Sequence, residues 1–161
     1  MRIEARLREL GLVPPPPVQP PPGVRLPFTP VRVIGDRAYI SGHGPQNSDG
    51  SIAGPFGKVG AEVTVEQGYQ AARLTALSML GSLARELGDL DRITAWVRVL
   101  GMVNSAPGFA SQPSVINGFS DLILDLFGEA GARSPSACRA AVQHARRGRG
   151  RGPGRALTDA E

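Results

Sequence analysis

Few side chains in this sequence of 161 residues stand where chemistry could be done. Ser41 follows an apolar stretch, but no histidine–acid pair lies near it in the chain, as an activated serine would need. His43, two residues on, could act as a base at a strand end, although a lone loop histidine is more often incidental. His43 and His144 are two histidines, too few for a convincing metal cluster, so no metal is expected. One cysteine, Cys138, excludes an intrachain disulfide framework and a cysteine-only zinc site. Gly-x-Gly-x-x-Gly, P-loop and His-Glu-x-x-His motifs are absent. Arg133 follows a helix, where on the residues alone the helix dipole is its better explanation. A planar guanidinium holds a carboxylate through two parallel charge-assisted hydrogen bonds, which lysine cannot imitate.

The charge balance narrows the function further. The net charge is +4, and all of it sits in residues 139–161, which hold six arginines against Asp159 and Glu161. Residues 1–138 carry 12 basic and 12 acidic side chains, so the body has no electrostatic reason to seek nucleic acid. Only the Arg146–Gly152 stretch could neutralise phosphates, and no aromatic interleaves it for base stacking. Hydrophobic residues are 41% of the chain, enough for a single core at this length. No apolar run approaches the roughly 18 residues a membrane span needs. The N-terminus lacks a signal-peptide apolar segment, and Glu4 and Glu9 argue against a transit peptide. A cytoplasmic, membrane-free protein is expected.

Three divisions are expected: residues 1–30, a short helix and arm; 31–134, a domain; and 135–161, a disordered basic tail. Ile3, Leu7 and Leu10 mark an amphipathic helix over 2–10. Nine of the 15 prolines then fall within residues 14–30, reading as a stiff extended arm or, less simply, a docking peptide. Residues 31–41 read as two strands around Gly35-Asp36-Arg37. Thr64 and Gln67 form a capping box for a helix whose stripe is Val65, Tyr69, Ala72, Ala76, Met79, Leu83 and Leu87, with Gly88 as its stop. That helix would be about 35 Å long. Residues 92–103 read as a strand covered on both faces. A second helix starts near Pro113 and ends in the glycine-containing stretch 128–131. The order β-β-α-β-α predicts an α/β (α+β) fold, with a mixed sheet covered on one face by two helices.

Six ordered blocks carry a resemblance: Tyr39-Ile40-Ser41-Gly42-His43-Gly44-Pro45, residues Val63 to Ala72, Leu87 to Arg92, Asn104-Ser105-Ala106-Pro107-Gly108-Phe109, Val115-Ile116-Asn117-Gly118, and Gly131-Ala132-Arg133-Ser134. Together they resemble the RidA (YjgF/UK-type, "endoribonuclease L-PSP") family over residues 1–134, in the branch with a proline-rich arm. The resemblance implies a chorismate-mutase-like fold and a homotrimer with clefts between subunits. It further implies hydrolysis of reactive 2-imino or enamino acids to 2-keto acids and ammonia, with no cofactor. Arg133 falls on the family's substrate arginine. Ser41, Gly42 and Asn117 fall on site-lining positions, and Ser41 and Asn117 could donate to an imine nitrogen or orient water. Phe28 stands where the family usually has a tyrosine, so the phenol hydroxyl is gone.

The chain departs from the family after Ser134. Family members continue into a Val-rich strand and a final Val/Glu strand whose glutamate is thought to activate water; here no glutamate occurs between Glu129 and Glu161. Arginine CGN and glycine GGN codons, read one base later, encode only Val, Ala, Gly, Asp or Glu. The tail is therefore what such a strand looks like out of frame, and the C-terminal strands are expected to be missing or altered. Poor solubility or failed trimerisation would follow from unpaired strand edges. Three functions compete: imine hydrolysis through Arg133 with Ser41 and Asn117; non-catalytic trimeric binding of small carboxylated metabolites; and RNA binding through the tail.

Overall fold

The computed structural model describes residues 2–20, 22–132 and, as backbone, 134–139. Its elements are α1 (Arg2–Glu9), β1 (Val31–Ile34), β2 (Arg37–Ile40), α2 (Val65–Leu87), β3 (Arg98–Val103), α3 (Gln112–Phe127) and β4 (Ser134–Arg139). Single 3₁₀ turns occupy Leu90–Arg92 and Gly128–Gly131.

Local sequence explains α2 at both ends. The Thr64 hydroxyl accepts from the Gln67 amide at 3.1 Å, and the Gln67 side chain accepts from the Thr64 amide at 2.9 Å. Gly88 closes the helix at φ 77°, a left-handed conformation that costs glycine little. Of the expected stripe, Ala76 and Leu83 are buried, whereas Val65 is exposed. A second buried strip, Leu77, Ser78, Leu80, Gly81 and Ser82, was not expected. It is buried because α2 is sandwiched: α3 packs on one side, β1 and the N-terminal arm on the other.

Helices α2 and α3 cross very closely. A Cβ on Gly118 would lie 2.0 Å from the Tyr69 carbonyl oxygen, so only glycine lets the two backbones meet. Leu80, Leu83, Leu122 and Ile123 fill this core, and Trp96 packs edge-on against Phe119 and Phe127.

The N-terminal segment belongs to this unit. Ile3 and Leu7 of α1 enter the main core. Asp91 accepts from the Arg2 and Ile3 amides at 2.5 and 2.9 Å, capping α1 from a distant turn. Glu4 reciprocates by accepting from the Leu90 amide at 2.8 Å. Arg6 bonds Asp125 of α3 at 2.8 Å.

The strands correct three expectations. The strand expected over 92–103 starts only at Arg98, because Leu90–Arg92 turns and the Trp96 amide bonds the Ala130 carbonyl at 2.8 Å. Its outer face is open within one chain: Leu100 is 57% and Met102 67% exposed. In place of one mixed sheet, the described residues form two separate pairs. β1 and β2 are antiparallel, with Val31 opposite Ile40; β3 and β4 are parallel, with Arg98 opposite Ser134. The parallel pair is joined through α3, as parallel strands require a crossover. Strand β4 lies in the stretch read as departing from the family, so at least one C-terminal strand is present. Arg133 and residues 140–161 lie outside the described residues. With them go the placement of the carboxylate anchor and the Arg/Gly run.

Candidate functional site

The end of β2 positions the first group of site residues. Ser41 continues the β1–β2 ladder, its amide donating to the Pro30 carbonyl at 2.9 Å. Its hydroxyl donates to the Thr29 carbonyl at 2.7 Å. That bond fixes Ser41 beside the Phe28-Thr29 segment. It also consumes the hydroxyl proton, so Ser41 presents lone pairs rather than a donor. The expected donation to an imine nitrogen gives way to acceptance from water or an N–H. Phe28 is half-exposed. Gly42 is exposed, as a site that admits a ligand to the backbone requires.

Asn117 occupies a different place. It is exposed on α3. That helix packs on α1, α2, β3 and β4, while β1 packs on α2. The structure therefore brings Phe28, Ser41 and Gly42 together and leaves Asn117 on a separate element.

The loop Asn104–Phe109 is structural in its contacts. The Val59 amide donates to the Asn104 carbonyl, and the Ala106 amide donates to the Val59 carbonyl, both at 2.9 Å. Asn104 Nδ2 donates to the Gly57 carbonyl at 2.9 Å. These bonds pin the loop to Gly57 and Val59.

Behind Ser41, a polar chain runs inward. His43 Nδ1 lies 2.7 Å from the Ser41 carbonyl oxygen and Nε2 lies 2.9 Å from Ser82 Oγ. Arg85 donates to Ser82 Oγ and to the Pro15 carbonyl, each at 3.0 Å. Partial burial lowers the Arg85 guanidinium from its ordinary pKa. A shallow cavity of about 160 Å³ adjoins this chain, lined by Thr29, Pro30, Val31, Ser82, Arg85 and Glu86. Reading the sequence singled out neither Ser82 nor Arg85, and no local signal marks them: their partners lie 39 and 70 residues away. Three carboxylates, Glu4, Asp89 and Asp91, also gather at the start of α1. Their oxygens accept backbone amides there, so they cap α1 and the following turns.

The chain is thus an α+β unit of two long helices packed together with short strand pairs. The chain belongs to the family described as "YjgF/chorismate_mutase-like, putative endoribonuclease", which matches over residues 21–143. That match extends past Ser134, where the quoted resemblance ended, and includes β4. Protein TCP17 of Trypanosoma cruzi is 38% identical over 128 residues, covering 80% of this chain and 76% of the relative. The crystal structure of Atu1372, a protein of unknown function from Agrobacterium tumefaciens, superposes with a TM-score of 0.75 at 35% identity, covering 87% of this chain and 83% of that one. A "putative endoribonuclease" from Shewanella oneidensis MR-1 gives 0.76 at 32% identity, covering 86% and 88%. The fold class expected from the sequence, α+β and chorismate-mutase-like, is thus the one observed. Among the described residues, no helix is long and apolar enough to cross a membrane.

Proposed function

We propose that the protein hydrolyses small 2-imino acids to 2-keto acids and ammonia in clefts between the subunits of a homotrimer. The observation that carries this reading is the open corner made by Phe28, Ser41 and Gly42, on positions where the family binds its substrate. Arg133 grips the carboxylate in two parallel bonds. Water, accepted by the Ser41 oxygen, adds to the imine carbon. The carbon–nitrogen bond then breaks, and the nitrogen leaves as ammonia with the protons of that water. Ser41 and Asn117 lie on separate elements, and the outer face of β3 is apolar and open; both features suit a cleft completed by a neighbouring chain.

A second reading is a trimer that binds keto acids without turnover. It is favoured by Phe28, which brings no hydroxyl, and by the lack of any glutamate between Glu129 and Glu161. One experiment separates the two. Ammonia release from 2-iminobutanoate, lost in Arg133→Ala, establishes the hydrolase. Saturable binding of 2-oxobutanoate without ammonia release establishes the binder. Neither activity in an assembled trimer refutes both.

A further inference from the structure

We infer that His43 is a positioning residue that aims the Gly42 amide into the cleft, and that Ser82 and Arg85 extend this control to Pro15 of the N-terminal arm. The functional consequence rests on the cleft proposed above; the geometry does not.

The hydrogen-bond assignments are forced in sequence. A carbonyl oxygen only accepts, so His43 Nδ1, 2.7 Å from the Ser41 carbonyl, must carry the proton. In the neutral ring Nε2 then has a lone pair, and the Ser82 hydroxyl 2.9 Å away must donate to it. Arg85 Nη2 donates to the same Ser82 oxygen, and Nη1 donates to the Pro15 carbonyl. Ser82 and Pro15 are both buried, so water does not readily replace either partner. The opposite tautomer would set two lone pairs against each other at Ser41.

The relay acts on the peptide plane between Ser41 and Gly42. That unit is planar and trans, so holding the Ser41 carbonyl towards α2 turns the Gly42 N–H the other way. Among the described residues the Gly42 N–H has no partner. It is therefore an exposed donor in fixed orientation, next to the Ser41 oxygen, as a carboxylate or keto oxygen requires. The arm completes the device. A Cβ on Gly81 would lie 2.8 Å from the Pro15 carbonyl, so a glycine in α2 lets the arm reach Arg85.

The test reads the ring and the amide directly. In ¹⁵N NMR of the full chain, neutral His43 is expected as the Nδ1–H tautomer, and Ser82→Ala is expected to shift the Gly42 amide resonance. Ser82→Ala and Arg85→Ala are each expected to weaken 2-oxobutanoate binding about fivefold, the effect of one net hydrogen bond. Ser82→Thr, which keeps the hydroxyl, is expected to recover most of the loss. An Nε2–H tautomer, or a Gly42 amide unmoved in Ser82→Ala, overturns the relay. Absence of keto-acid binding in the unmodified protein refutes the cleft alone, because the tautomer and the amide are read without ligand.

Discussion

Replacing Gly118 by alanine sets two effects of opposite sign against each other. In a helix interior the substitution removes backbone entropy and is worth about 1 kcal/mol in favour of folding. Against this stands the crossing of α2 and α3. The new Cβ would sit 2.0 Å from the Tyr69 carbonyl oxygen and 2.8 Å from its carbon. A comfortable carbon–oxygen contact is about 3.3 Å, so the helices must part by about 1.3 Å. The obstacle is main chain, with no rotamer to move aside. Leu80 and Leu122, fully buried in the core these helices form, lose contact as the helices part. Overpacking of this kind costs about 1–3 kcal/mol, and a backbone clash belongs at the upper end. The net expectation is a loss of about 1–2 kcal/mol, which lowers the melting temperature by about 3–8 °C for a domain of this size. Gly68→Ala is the internal control. The nearest atoms to its Cβ are Val115 and Val59 methyl groups at 3.2 Å, so it should lie much closer to neutral. Thermal unfolding followed by circular dichroism, with urea titration for the free energy, measures both. Gly118→Ala melting at or above the unmodified protein would refute the close-crossing argument.

Other perturbations test separate parts of the account. Thr64→Ala removes one arm of the capping box and should cost about 0.5–2 kcal/mol in urea unfolding. Leu80→Ala should cost about 2–5 kcal/mol, since that side chain is wholly buried. Leu100→Asp combined with Met102→Asp should leave the circular dichroism of the chain intact while abolishing the trimer in sedimentation velocity; an unchanged trimer would move the interface elsewhere. The Glu62 carboxylate accepts the Lys58 amide at 2.8 Å, which holds its pKa below the ordinary 4.5. Its stabilisation is therefore complete above pH 4.5 and is lost as pH falls through the lower folded value. Melting curves of Glu62→Gln should lack that part of the acid-induced decline.

Helix α2 was legible because its signals are local: a capping box from Thr64 to Gln67 and a glycine one residue past the end. The second buried strip of α2 was not. Ser78, Gly81 and Ser82 are small or polar, and they are buried by Gln46, His43 and the proline arm, contacts between segments far apart in the chain. Strand β4 was hidden for a related reason. Pro135 and Ser136 are weak strand formers, and pairing with β3 decides their conformation. The open face of β3 shows the converse. Leu100 and Met102 read as covered because both alternation classes are apolar, yet one chain leaves that face bare. The candidate positions Phe28, Ser41, Gly42 and Asn117 were readable only as what the resemblance implies. The consumption of the Ser41 proton by Thr29 was not, since a serine hydroxyl shows its direction only in three dimensions.

In the proposed reaction a guanidinium fork at position 133 anchors a 2-imino acid for hydrolysis. Its most direct test is the rate of 2-oxobutanoate formation from freshly generated 2-iminobutanoate, compared among the trimeric protein, Arg133→Lys and buffer. The account predicts clear acceleration by the protein and its collapse in Arg133→Lys, which keeps the charge but loses the second hydrogen bond. A rate equal to buffer, or one that survives the lysine substitution undiminished, would contradict it.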